Sequence, residues 1–491
     1  MMPFENIKEL VEEYKKIWSL NYALSLMSWD RETYMPPADA SVRGEVTGVF
    51  SELIKEEYLK LNNLVQKYEG KENLSDEEKG FIRVLNREIK YYVKVPIEII
   101  KELDKIISEA LIVWRNAKNE GNFGKFKPYL EKIVDLERKI AEYLGYEKHP
   151  YNALLDLYEE GFTVDDGDRI FNILLPNLKD ILNKVREKGY YPASHPLESV
   201  EYEIKDMEKV NREILKLLKM PEDSFRMDVS AHPFTIRISG SDVRITTRYE
   251  GKDFKETIYS VVHESGHAIY ELLIDKSLEM TPLAQGASTG IHESQSRFWE
   301  NIIGRSKEFI HLVFPILKNN LSFLKDYDEE ELHKYVNTVR PSLTRVDADE
   351  VTYNFHIALR YEIEKKLLNE DIKVEELPEI WNDFMEKYLG IRPKNDGEGI
   401  LQDIHWSQGS IGYFPTYTLG NVVAGMIYSS YKNLKDDISQ GNFDNVKSWL
   451  REKICKYGAT YSPKELLIRA FGKTYDPNDL LKYLREKYLS I

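Results

Sequence analysis

His263-Glu264-Ser265-Gly266-His267 puts two imidazoles and a carboxylate within five residues. On a helix, residues four apart lie about 40° apart around the axis and about 6 Å apart along it. Both imidazoles therefore reach one divalent ion at about 2.0–2.1 Å from each ligating nitrogen. Glu264 follows the first histidine, so it stands beside such an ion instead of on it. A carboxylate there accepts a proton from metal-activated water as a general base. The chemistry indicated is metal-assisted hydrolysis. A plainer reading, two helix-face histidines in ordinary hydrogen bonds, competes with it.

The helix itself is expected from its surroundings. Asp253 reads as the cap, with Glu256 as its capping-box partner. Phe254, Ile258, Val261, Val262, Ile269, Leu272 and Leu273 form an apolar side that weighs against the plainer reading. A catalytic site of this type needs a third protein ligand and an open position. Glu293, in Ile291-His292-Glu293-Ser294-Gln295, is the best local candidate, ahead of a second helix that buries Phe298, Trp299, Ile302 and Ile303. His292 is the competing ligand, but on a helix it points about 100° away from Glu293.

The chain of 491 residues must position these groups. Lys+Arg is 68 and Asp+Glu is 83, a formal charge of −15. That argues against non-specific nucleic-acid binding, which needs a basic surface. Apolar residues at 42% and charged residues at 31% describe a globular chain, not a disordered one. No apolar run is long enough to span a membrane, so no membrane partner is expected. Met1-Met2-Pro3-Phe4-Glu5-Asn6 lacks a secretory pattern. Cys455 is the only cysteine, which rules out an internal disulfide or a cysteine-based zinc site. A cytoplasmic setting is expected. Abundant Lys, Glu, Ile and Tyr suit a heat-adapted source.

Most of the chain reads as helix. Apolar residues recur at helical spacing over 5–34, until Met35-Pro36-Pro37 stops the pattern. Similar spacing marks 76–94, 97–121, 126–144, 167–188, 205–218, 445–457, 463–471 and 477–489. The exception is 234–249. Phe234, Ile236 and Ile238 alternate with polar residues, Ser239-Gly240-Ser241 supplies a turn, and Val243 and Ile245 alternate again. This predicts a β-hairpin with Asp242, Arg244 and Thr246 on one face. No linker or repeat divides the chain. It is expected to be a single unit over 1–491, with a helical scaffold or lid half (1–230), a catalytic half (231–425) and C-terminal helices (426–491).

Further blocks align with the first motif in order. They are His232-Pro233-Phe234; Asp242-Val243-Arg244-Ile245-Thr246; His292-Glu293-Ser294-Gln295; Thr344-Arg345-Val346-Asp347-Ala348-Asp349; and Gly399-Ile400-Leu401-Gln402-Asp403-Ile404-His405-Trp406. With these blocks the sequence resembles the carboxypeptidase Taq family of thermostable metallocarboxypeptidases. The stretch Tyr22 to Pro37 is similar to the family's N-terminal region, so the likeness covers nearly the whole chain. Thr344 departs from the family's isoleucine, which affects packing more than chemistry. The position four residues after Glu293 is Arg297, not the aspartate that orients a ligand histidine in thermolysin-like enzymes. Another carboxylate must do that, and Asp349 is the candidate.

The resemblance implies a mainly α, large helical fold with a deep central substrate groove and a small β-sheet (hairpin 234–249) beside the metal-binding helix. It implies one divalent ion per subunit, Zn2+ or Co2+, held by His263, His267 and Glu293, and a homodimer. It implies removal of single amino acids from peptides with a free C-terminus, with broad tolerance and poor action on proline. An exopeptidase must recognise that carboxylate, and a bidentate arginine suits it. Arg345 is the favoured clamp, assisted by His405 and Arg244, against a purely structural pairing with Asp347 or Asp349. His232 and Arg244 are alternatively placed to narrow the groove at its remote end. Tyr417, then Tyr413, then His405 are candidates for oxyanion stabilisation. Gly409-Ser410-Ile411-Gly412 is expected to be a mobile loop. The rivals are a zinc oligoendopeptidase, which would cut C-terminally amidated peptides equally well, and a non-catalytic helical binding protein that keeps a metal for stability.

Overall fold

The computed structural model describes residues 3–490. Within them lie nineteen α-helices and one three-stranded sheet. No described helix is long and apolar enough to cross a membrane. The mainly α fold class read from the sequence is the one observed. The chain divides into two compact units, each built from three separated stretches. The first comprises Met1–Tyr92, His195–Val336 and Ile427–Thr474; the second comprises Val93–Ser194, Asn337–Met426 and Tyr475–Ile491.

In the first unit, β1 (Phe225–Val229), β2 (Thr235–Ser239) and β3 (Asp242–Thr247) form a sheet of order β1-β3-β2. β2 and β3 are the antiparallel hairpin expected at 234–249, while β1 joins β3 in parallel. Val243 and Ile245 are fully buried. The expected polar stripe is only partly solvated. Thr246 is also fully buried, and its hydroxyl meets Ser230 Oγ at 2.6 Å and the Phe234 amide at 3.1 Å. Those bonds meet the hydroxyl's need for partners away from water.

The helix Lys255–Leu273 follows, with Ile258, Val261, Val262, Ala268 and Ile269 buried. Each of the isoleucines and valines contributes about 1.5–3 kcal/mol relative to exposure. The expected cap is corrected. Asp253 has φ +54°, Phe254 is the capping residue without a side-chain bond, and the Asp253 carboxylate accepts from Tyr335 Oη. The helix Thr289–Arg297 starts at Ser288, whose side chain accepts from the Ile291 amide, and continues as a π-helical stretch, Phe298–Ile303. Gly266 lets these helices touch. A Cβ there would sit 2.7 Å from the Gln295 carbonyl oxygen and 2.7 Å from Ser296 Cα.

In the second unit the helix Tyr353–Leu368 is buried on nearly every face. It packs with the helices Phe123–Leu144, Tyr151–Tyr158, Val164–Lys188 and Leu377–Leu389. The segment Gln402–Gly412 lies against it and leads into the helix Pro415–Ser430.

Candidate active site

Ligand atoms of His263, His267 and Glu293 lie within 4.8 Å of one another. His267 Nε2 is 3.2 Å from Glu293 Oε2, and His263 Nε2 is 3.8 Å from Glu293 Oε1. Both histidines stand on one helix at i and i+4, and Glu293 comes from the helix held against it at Gly266.

Partners behind the imidazoles orient these nitrogens. His263 Nδ1 is 2.8 Å from Glu300 Oε1. The carboxylate can only accept, so Nδ1 carries a proton and Nε2 is the nitrogen left to face an ion. His267 is fixed by a longer chain. His292 Nε2 lies 2.7 Å from Glu271 Oε1, and His292 Nδ1 lies 2.6 Å from His267 Nδ1. Glu271 draws the His292 proton to Nε2, His292 Nδ1 accepts from His267, and His267 Nε2 is again the nitrogen left to face an ion. His292, weighed from sequence as a ligand, is thus a link behind one. Asp349 does not orient either ligand histidine. Its carboxylate accepts from the backbone amides of Arg340, Val351 and Thr352, and burial raises its pKa to about 6. Backbone donors at a helix start claimed it first.

The charges suit a cation. Burial disfavours a charged His263, yet Glu293, Glu300 and Glu264 outweigh it and lift its pKa to about 9. Burial also works against the Glu293 carboxylate, but His263, His267 and Arg297 hold it well below the usual range. Arg297 Nε donates to Glu293 Oε1 at 3.0 Å, so the residue that replaces the thermolysin-type aspartate steadies the carboxylate instead. With an ion in place of the His263 Nε2 proton, two imidazole nitrogens and one carboxylate oxygen, converging and turned inward, would form a donor set suited to a divalent metal.

Glu264 is buried beside this triad. Thr235 Oγ1, at the start of β2, donates to Glu264 Oε2 at 2.5 Å and lies 3.0 Å from the Glu264 carbonyl. Thr235, Glu300 and Glu271 were not singled out from sequence. The signals were present for two of them. Glu271 extends the His263, His267 stripe by one more turn, and Glu300 lies seven residues after Glu293, on nearly the same helix face.

The other candidates fall into two groups. His232 is exposed, and Arg244 makes a bidentate pair with Asp242 at 2.8 Å while its guanidinium lies 4.3 Å from the Trp29 ring centre. In the second unit, Arg345, His405, Tyr413 and Tyr417 cluster. His405 Nε2 is 3.0 Å from Tyr417 Oη, the Tyr413 and Tyr417 rings are 5.4 Å apart, and Arg345 lies 4.8 Å from the Tyr417 ring centre. Arg345 pairs with neither Asp347 nor Asp349. Its Nε and Nη2 donate to Asp403 Oδ1 at 3.2 and 3.0 Å, and Nη1 donates to Tyr353 Oη. Asp403 also takes Arg360 Nε at 2.7 Å, and these cations hold its pKa far below normal despite burial. His405 has its pKa lowered to about 4 by burial, with Arg345 and Arg360 reinforcing the shift against Asp403. It is therefore neutral at pH 7.

A largely helical protein with two histidines and a glutamate converging beside a second, buried glutamate has the makings of a metallopeptidase. The comparisons identify which kind. The carboxypeptidase Taq (M32) metallopeptidase family matches residues 9–488. The chain is 49% identical over 492 residues to thermostable carboxypeptidase 1 of Pyrococcus furiosus, covering 99% of each. It is 36% identical to carboxypeptidase 1 of Bacillus subtilis, covering 99% of this chain and 98% of the relative. The Pyrococcus furiosus carboxypeptidase in its apo-Mg form superposes with a TM-score of 0.97 at 48% identity, covering 98% of this chain and 99% of that one. The chain belongs to the carboxypeptidase Taq family of M32 metallopeptidases. It is a metal-dependent carboxypeptidase that acts on peptides.

Proposed function

We propose that the chain removes single C-terminal residues with His263, His267 and Glu293 as ligands of one Zn2+, with Co2+ able to replace it, and Glu264 as general base. The convergence of the two Nε2 atoms on Glu293, next to a carboxylate steadied by Thr235, carries this reading. A divalent ion held by these three residues would supply Lewis-acid polarisation of the scissile carbonyl and a water pKa lowered from about 15.7 towards 7. Glu264 takes a proton from the attacking water and later passes it to the leaving amine. The Thr235 hydroxyl fixes which oxygen of Glu264 does so.

Arg345 is the carboxylate-recognition residue. Asp403 and Tyr353 use three of its five N–H groups and hold the guanidinium plane, which leaves two for a substrate carboxylate. His405 assists as a neutral donor or acceptor. Tyr417, before Tyr413, supplies the hydrogen bond for developing negative charge. His232 and Arg244 serve substrate binding away from the reacting bond. Broad side-chain tolerance, heat stability, a homodimer and a cytoplasmic location complete the proposal, on the likeness to the thermostable relative.

Glu264→Gln tests it. The variant keeps its metal and loses about 10²–10⁴-fold in kcat, the range of a general base. Unchanged turnover removes Glu264 from that role.

A further inference from the structure

Among the fully buried residues of the second unit, three polar side chains line one face of the helix Tyr353–Leu368. His356, Arg360 and Glu364 recur every four residues, each with no exposed surface. A buried charge costs several kcal/mol unless its hydrogen bonds are met. Both ring nitrogens of buried His356 lack a hydrogen-bond partner among the described residues, but most partners of Arg360 and Glu364 lie on one short segment.

Arg360 donates through Nε to Asp403 Oδ2 at 2.7 Å and through Nη2 to Gln402 Oε1 at 2.8 Å. Glu364, one turn later, accepts from Trp406 Nε1 at 2.7 Å on Oε2 and from the Gly412 amide at 3.0 Å on Oε1, where Tyr151 Oη also donates. The segment 402–412 is therefore pinned before, within and after the short 3₁₀ turn His405–Gln408. Its interior bonds close it further, from the Gly409 amide to the Trp406 carbonyl and from the Ser410 amide to the His405 carbonyl. Gly412 has φ +103°, and a Cβ there would meet the Leu154 carbonyl oxygen at 2.8 Å, so only glycine lets this amide reach Glu364. The His405 ring hydrogen-bonds Tyr417 Oη and packs on the rings of Phe414, 4.4 Å between centres, and Tyr413, 5.5 Å, both carried by the chain that follows Gly412. Where that ring points depends on the backbone that Glu364 holds.

We propose that Glu364 is a positioning residue for the carboxypeptidase reaction: through Trp406 and Gly412 it fixes the turn that presents His405. This rests on the reading that His405 assists substrate recognition.

The test uses the metal-loaded, full-length enzyme and a free-acid peptide. In Glu364→Gln an amide replaces the carboxylate. One end still accepts, but the other now opposes either Trp406 Nε1–H or the Gly412 amide. The expected result is a rise in KM of about tenfold or more with kcat changed less, and unchanged metal content, as for a displaced recognition group. Adding Glu364→Gln to His405→Ala should cost little further. A lower Tm with KM and kcat both unchanged, or full additivity of the two substitutions, overturns the proposal. Should Glu364→Gln not fold, Trp406→Phe removes one tether and leaves the carboxylate, and the same split in KM and kcat decides. The His405→Ala control separates the two ideas. If it leaves KM unchanged, the recognition reading falls and takes the proposal with it. If it raises KM while Glu364→Gln is silent, only the positioning role falls.

Discussion

The groups proposed to do the chemistry are each held by a partner whose own protonation or polarity admits one arrangement. Glu300 and the Glu271–His292 pair turn the Nε2 atoms of both imidazoles inward. Thr235 holds the base. Thr235→Val removes that bond at nearly constant volume, and kcat should fall by about 1–3 kcal/mol of transition-state stabilisation with metal content unchanged. An unchanged kcat, measured on metal-loaded enzyme, removes Thr235 from that part. The convergence of His263 with His267 was legible in sequence because spacing of four on a helix is a local geometric statement. The supporting shell was less legible. Glu300 and Glu271 sit at helical intervals from the ligands, yet glutamate is too frequent for spacing alone to single them out. Thr235 comes from a different element, and nothing local links it to Glu264. Asp349 was assigned to orient a histidine on its motif position, but backbone amides hold it instead.

At the scale of elements, the site depends on two helices brought close at a residue without a side chain. Gly266→Ala puts a methyl group into the Gln295–Ser296 backbone. It should lower stability by about 1–3 kcal/mol, or more if the backbone cannot yield, and weaken metal affinity together with it. Denaturant unfolding and metal titration of the same variant check this; unaltered values in both contradict it. The amphipathic helices were read nearly in place, such as 76–94 for Asp76–Lys94 and 477–489 for Pro477–Leu489. The helix Ala40–Gln66 was not identified. Val42, Val46, Val49 and Leu53 remain exposed, so it lacks the one-sided pattern that marks a core helix. The hairpin was legible from its alternation, but β1 was not, because parallel pairing with β3 skips the intervening β2. The stretch 409–412 reads in the sequence as a mobile loop. Instead Gly409 and Ile411 are buried and the Gly412 amide is bound, so the glycines serve close packing and positive φ.

For the molecule as a whole, the division into two interleaved units was not visible, since each draws on stretches far apart in sequence. In the second unit, Glu350 ties the C-terminal helix Pro477–Leu489 through Lys487 Nζ at 2.6 Å and the Tyr483 and Tyr488 hydroxyls at 2.7 Å. Burial opposes its charge, but Lys487 and the two hydroxyls hold its pKa below the usual 4.5. A depressed folded pKa stabilises above the unfolded value and loses that contribution as pH falls through the folded one. Glu350→Gln should therefore cost about 1.5–3 kcal/mol near pH 7, and the gap from the unsubstituted protein should shrink below about pH 4. A gap constant with pH contradicts this assignment. His263, His267 and Glu293 are proposed to hold the ion on which peptide cleavage depends. The direct measurement is release of C-terminal residues by chelated protein as Zn2+ is added back, alongside His267→Ala. Activity should vanish on chelation, return at one Zn2+ per chain, and not return in the variant. Full activity after exhaustive chelation, or a variant restored by one equivalent, would contradict it.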